Sequence, residues 1–384
     1  MTKNRWRRRW GAAGDGEKKA TSKLSYCLVE VLAAVYEYGN ARLRAMRSRL
    51  LDRSTLESLV ARRDLGHLAS TLEAGAYTSD FESARAEVGD LAQDPVAAID
   101  LALRHHLART GRGVLSYYDG RARDLVGLLL GRRDLENLLA AIRGRTATAE
   151  APDVSRLFVL GGELSADWLA EIVRSGQVEG LRLVGDWLCV PAQGLVSADD
   201  ARRGEVEAAV VRAFYARALG LLVGGGADVS TVRQVLGWRV DVLNLTTALR
   251  VCRLPARERP ADPRGLLVEG GSLSRRSVES IGRAPDVEAA AGEIAATPYR
   301  ESVDEASRYL ARVGRAAALE CALERLLVRR AARLYRADPL GIGVVVGYLA
   351  AQSVEVANLR LIARCLALGL DKRDIFDQIW LPES

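Results

Sequence analysis

The polar residues with the most regular spacing in this 384-residue sequence form a set that occurs three times. Asp134, Asn137 and Arg143 recur without a gap as Asp241, Asn244 and Arg250, and again as Glu355, Asn358 and Arg364. On a helix the acid and the asparagine, three apart, share a face, while the arginine sits about 180° from the acid. A carboxylate only accepts hydrogen bonds, an asparagine both donates and accepts, and a guanidinium only donates. Set among apolar neighbours such as Leu138, Leu139 and Ile142, such groups must be partly buried and paired. Two roles fit: a structural network fixing the packing of each unit, or a ring of polar groups lining a central contact surface.

Bond-making chemistry finds no comparable pattern. A phosphate-cradling loop needs Gly-Lys-Ser/Thr after a glycine-rich turn, and Gly224-Gly225-Gly226 runs into Ala-Asp-Val-Ser with no lysine. Gly341, Gly343 and Gly347 follow Asp338-Pro339 rather than a strand, with the wrong last spacing for a dinucleotide fingerprint, and read as a turn and close helix contacts. His105 and His106 are adjacent, so on a helix they point about 100° apart and cannot chelate one metal together. His67 has no cysteine or acidic cluster at ligand spacing, and no Gly-x-Ser-x-Gly elbow occurs. The expectation is a non-enzymatic chain with no catalytic residue, cofactor, metal site or small-molecule substrate.

The elements that must carry these residues are helical. Leu43, Met46 and Leu50 make one apolar stripe, with Arg42 and Arg49 on another face. Comparable periodicity predicts helices over 124–143, 206–223, 302–334 and 343–370. Strand alternation is confined to short runs at 156–160 and 265–268. The fold class is therefore all-α. A second marker accompanies the triplets: Leu160-Gly-Gly-Glu-Leu164-Ser and Val268-Glu-Gly-Gly-Ser-Leu273-Ser follow their arginines at similar intervals. Tyr77 and Tyr299, each beside a threonine or proline, echo one another earlier in their units. The repeat is domain-sized, and predicts a disordered tail over 1–24 and three tandem homologous helical domains over 25–150, 151–258 and 259–384. Pro255, Pro260 and Pro263 among charges mark the second joint.

The formal net charge of +6 belongs to residues 1–23, where eight basic groups face two acidic ones. The rest holds 47 of each. That tail, with Trp6 and Trp10 among arginines, motivates an alternative reading as an Arg-rich helical nucleic-acid-binding protein, or contact with anionic headgroups. The zero net charge of the body argues against nucleic acid as a partner. Five dispersed cysteines without a CxxC pair fit a reducing cytoplasm. Lys3 to Arg9 is not followed by an apolar signal region. The longest apolar stretch, Leu340 to Ala351, is twelve residues, short of the roughly 20 that a membrane span needs.

Tyr38-x-Asn40-Ala41-Arg42-x-Arg44 resembles the opening helix of the C-subunit (or d-subunit) family of V-type and archaeal-type (A-type) rotary ATPases. Asp338-Pro339-Leu340-Gly341-x-Gly343, continuing through Tyr348 to Glu355-x-x-Asn358-Leu359-Arg360, resembles that family's closing signature, and Arg133-Asp134-x-x-Asn137-Leu138 its first-domain counterpart. The resemblance spans about residues 34–370. It implies three helical domains in a funnel with pseudo-three-fold symmetry, on the cytoplasmic face of the membrane and peripheral to it. It implies as partners the proteolipid rotor ring and the central-stalk subunits, whose foot the funnel's socket receives, and a mechanical task of transmitting torque. One departure stands out: Gln352-Ser353 occupies the place of a Lys-rich stretch after the Tyr348 helix.

Overall fold

The computed structural model describes residues 35–88, 94–145, 203–260 and 263–381. The basic tail, the 156–160 run, the 160–165 marker, Cys27, Cys189 and residues 151–202 of the 151–258 unit lie outside the described residues. Within them the chain is helical, with no strand. In order, α1 covers 35–47, α2 Arg53–Arg62, α3 Leu65–Glu73, α4 Thr78–Val88, α5 Pro95–Ser116 and α6 Gly120–Arg145. Then come α7 Arg203–Gly220, α8 Ala227–Cys252, α9 Arg275–Arg283, α10 Val287–Ala295 and α11 Arg300–Val313. The last three are α12 Arg315–Ala337, α13 Gly343–Ala367 and the short α14 Lys372–Phe376. The 265–268 run is no strand, since Pro263–Leu266 forms a 3-10 turn.

Local chemistry sets six of the helix starts among the described residues. The carboxylates of Asp52, Asp64, Asp94, Asp286 and Asp371, and the hydroxyl of Ser274, each accept from a first-turn amide. These side chains satisfy amides that have no intrahelical partner. Helices α2–α6 and α9–α13 follow one another in the same order with closely similar starts, and the caps Asp52 and Asp64 recur as Ser274 and Asp286. The helix expected over 302–334 is two helices. Gly314, at φ +75°, breaks it, because that left-handed conformation suits glycine and ends α11 before α12 begins.

Among the described residues three apolar clusters organise the packing. One draws on α2–α5 and is closed by Val356, Leu359 and Ile362 from the C-terminal half of α13, with Ile375 of α14. A second draws on α9–α12 and is closed by Val242, Leu245 and Leu249 from the C-terminal half of α8. The third, central cluster holds α1, α6, α7, the N-terminal half of α8 and the start of α13. So α8 and α13 each feed two cores, and the cluster around α9–α12 takes in residues on both sides of the joint at 258.

Glycine permits one of the closest approaches. A Cβ on Gly347 in α13 would meet the Cβ of Tyr335 in α12 at 2.4 Å. Gly→Ala in an open helix gains up to about 1 kcal/mol, but here the sign reverses. Gly347→Ala is expected to cost about 1–3 kcal/mol by overpacking, read as a lower denaturation midpoint. Unchanged or raised stability would contradict this packing.

Candidate functional site

The second triplet sits in α8 with its acid wholly buried. Asp241 accepts from the Ser272 amide (3.0 Å) and hydroxyl (2.6 Å), the Leu273 amide (3.0 Å) and the Tyr299 hydroxyl (2.9 Å). Asn244 donates to the Val268 carbonyl (2.8 Å) and accepts from the Val268 amide (2.9 Å). One helix face therefore grips the loop leading into α9 at two points. Gly271 is required there, since a Cβ would lie 2.1 Å from Asp241 Oδ1.

The third triplet, in α13, makes the same contacts with different partners. Glu355 accepts from the Leu51 amide (2.8 Å) and from the Tyr77 hydroxyl. Asn358 donates to the Trp380 carbonyl (2.8 Å) and accepts from the Trp380 amide (3.3 Å). Leu51 and Leu273 both immediately precede a helix cap, Asp52 and Ser274. Tyr77 and Tyr299, which the sequence shows only as an echo, are the hydroxyl donors to the two acids. Burial pushes both hydroxyls above the ordinary tyrosine range, so both remain protonated donors. In the first triplet Asp134 and Asn137 are buried as well.

The arginines face outward. Arg143 forms a two-pronged pair with Glu207 (3.0 and 2.6 Å), and Arg250 a looser one with Glu320 (3.4 and 3.2 Å). Arg364 is exposed and lines a cavity. The acid and asparagine thus do one job and the arginine another, as the half-turn between them dictates.

The two ends of the recognisable sequence also meet. Asn40 in α1 donates to the carbonyls of Leu340 (3.1 Å) and Gly341 (3.0 Å) and accepts from the Tyr118 hydroxyl (2.8 Å). Arg44 donates to the Pro339 carbonyl. Arg47 donates to the Gly347 carbonyl (3.3 Å) and lies over the Tyr335 ring at 4.1 Å. The turn is pre-shaped: Asp338 accepts from the amides of Gly341 (2.9 Å) and Gly343 (2.8 Å), and Asp228 from that of Ile342 (3.2 Å). The glycines there serve a carboxylate-braced turn.

Beside Tyr77 lies a polar cluster that spacing alone does not reveal. Asp80 takes a two-pronged bond from Arg109 (2.8 and 2.7 Å) and pairs with His106 Nδ1 at 2.9 Å. Burial raises its carboxyl, but the bonds from Arg109 and His106 outweigh that and hold it below its ordinary value. His105 turns the other way, to Glu87 at 2.9 Å. Among the described residues no group of three or more His, Cys, Asp or Glu could hold a metal ion.

A cavity of about 550 Å³ opens where the triplet-bearing helices converge. Its walls include Arg132, Arg133 and Glu136 of α6, Trp238 and Arg239 of α8, and Arg360 of α13. Arg132 pairs with Glu136 and Arg239 with Glu324, both at 2.7 Å. Gln352, at the place of the departure, is buried and accepts from Arg133 at 3.2 Å. Apolar and charged groups share this surface, and nothing among its described residues forms a nucleophile–base pair.

The sequence model of the family described as ATP synthase (C/AC39) subunit matches residues 39–378. The chain belongs to that family. Similar proteins include the A-type ATP synthase C subunit of Haloferax volcanii, 29% identical over 341 residues, covering 87% of this chain and 94% of the relative. The C subunits of the A-type ATP synthases of Pyrococcus abyssi and Thermococcus kodakarensis are 24% and 26% identical, over 90% and 88% of this chain and the same shares of their own lengths. Membership makes this chain one component of a rotary ATP synthase complex. Among the described residues no helix is long and apolar enough to cross a membrane.

Burial raises the Glu355 carboxyl above its ordinary value of 4.5, while the bonds from Tyr77 and Leu51 pull it back only in part. A raised acid binds its proton more tightly when folded, so its share of stability falls as pH rises from 4.5 through the folded value. Glu355→Gln removes that titration. Its denaturation midpoint is expected to fall less than the wild type's over that pH window, at some cost at acid pH. Parallel pH profiles for the two proteins would contradict the assignment.

Proposed function

We propose that this chain is a non-catalytic rotor, or central-stalk, component of an A-type (V-type) ATPase. In this reading it joins the shaft of the ATPase head to the membrane proteolipid ring and passes torque between them during ATP-coupled ion transport. The observation that carries the proposal is the central cavity, walled by the helices bearing all three triplets. Three units over 25–150, 151–258 and 259–384, arranged as a funnel with pseudo-three-fold symmetry, would give such a cavity on their axis. The cavity is then the socket for the shaft's foot.

The polar grips suit this task. Torque loads a coupler in shear, and buried carboxylate and asparagine bonds to backbone hold joints in one register where apolar contacts alone would slide. We assign Asp134, Asn137, Asp241, Asn244, Glu355 and Asn358 to that structural role, and Arg143, Arg250 and Arg364 to the outer or partner-facing surfaces. The complex would hold the chain peripherally on the cytoplasmic face of the membrane, with no part for nucleic acid. Similarity over most of the chain to relatives named as C subunits of A-type ATP synthases supports the reading.

The test is co-purification. Tagged chain from detergent-solubilised native membranes is expected to bring down both proteolipid and central-stalk subunits, and deletion of residues 1–23 to leave that recovery largely intact. Recovery of neither partner would overturn the proposal.

A further inference from the structure

One wall of the cavity carries more positive charge than its own neighbours neutralise. Arg360 and Arg364 lie one turn apart on α13 and both line the cavity, so they share a helix face. Arg104 of α5 stands behind them. Among the described residues a single carboxylate, Asp100, serves this group: it accepts from Arg104 and forms an ion pair with Arg360 at 2.8 Å. Arg364 has no ion pair among the described residues. Further along the lining, Arg133 bonds to neutral groups, the Leu107 carbonyl (2.8 Å) and Gln352.

Burial lowers the Arg104 guanidinium, Asp100 opposes this, and the charges of Arg360 and Arg364 lower it further. With one carboxylate, Asp100, for three guanidinium groups, the cluster is short of anions among the described residues. Elsewhere on the lining, Arg132 and Arg239 each have a carboxylate of their own, Glu136 and Glu324. The cluster also stands out in a body whose 47 acids and 47 bases balance overall. Like charges one turn apart repel, a cost that a docked carboxylate would reverse.

We infer that the cavity docks an acidic polypeptide tip, placing two or more carboxylates of a partner protein's helix end or loop against Arg360, Arg364 and Arg133. The inference rests on the socket reading and narrows it to the chemistry of the occupant. Trp238, Leu129 and Leu361 beside the arginines suit an amphipathic tip with aliphatic residues next to its acids. The volume fits a few side chains rather than a whole helix. Guanidinium–carboxylate pairing supplies the orientation, because its two parallel bonds fix the angle of approach.

The experiment uses the full chain, tagged and expressed in its native membranes. A photo-cross-linking residue replaces Ser353, which is exposed on the cavity lining, and the captured partner peptide is sequenced. A peptide with Asp or Glu at i, i+3 or i, i+4 is expected, and a neutral or basic peptide would overturn the inference. In parallel, Arg364→Glu is expected to lower partner recovery at least tenfold, with an unchanged melting temperature, while Arg364→Lys stays within about threefold. Undiminished recovery by Arg364→Glu would overturn it. So would competition of partner binding by millimolar inorganic phosphate or ATP without any acidic peptide captured, since the site would then serve a small anion. If wild-type chain captures no central-stalk protein at all, the socket reading itself fails, and that result is distinct from capture of a non-acidic tip.

Discussion

A buried carboxylate three residues before a buried asparagine, both reaching across to backbone, is the interaction on which the described structure turns. Apolar clusters supply most of the burial, but they are tolerant of sliding and of volume-conserving exchange. Directed bonds are not. Asp241 accepts from the Ser272 and Leu273 amides, Asn244 bonds both the amide and the carbonyl of Val268, and Tyr299 donates its hydroxyl to the same acid. Losing one partner would leave the others desolvated and unpaired, which costs more than the bond itself contributes. That asymmetry makes the grip a register device.

The same device holds the chain into a closed arrangement. Glu355, near the end, grips Leu51 and Tyr77, near the beginning. Asn40 and Arg44 of α1 clasp the turn at Pro339–Gly341. Contacts spanning some 300 positions are entropically costly to form, and here the cost is met at two separate places with polar geometry. A protein that only had to stay folded could use apolar contacts at these joints. One that must resist shear without changing register has reason to use hydrogen bonds.

Much of this is legible in the sequence, for identifiable reasons. The triplets declare themselves because a helix imposes fixed spacing on residues that must share a face. The division of acid and asparagine from arginine follows from the same geometry. Helix content follows from apolar periodicity, with the exception of Gly314, where a single left-handed residue splits an otherwise unbroken pattern. What spacing cannot convey is which distant backbone the triplets grip. Tyr77 and Tyr299 echo each other in sequence, yet nothing local says that their hydroxyls meet Glu355 and Asp241. Nor does it say that Asp80, His106 and Arg109 converge, since each lies on a different turn or helix. The opening and closing motifs likewise read as separate signatures, although Asn40 and Gly341 are in contact. The surplus charge beside Arg364 is visible only once Asp100 is seen shared between two arginines.

Native-state hydrogen exchange at the amides of Leu51, Val268, Leu273 and Trp380 tests the central claim most directly. All four lie in loops or at loop ends, where exchange is ordinarily fast. If the grips hold the arrangement together, these amides exchange only through global unfolding, at the rate of the slowest amides in α8 and α13. Exchange at the pace of neighbouring exposed loop amides would contradict the account.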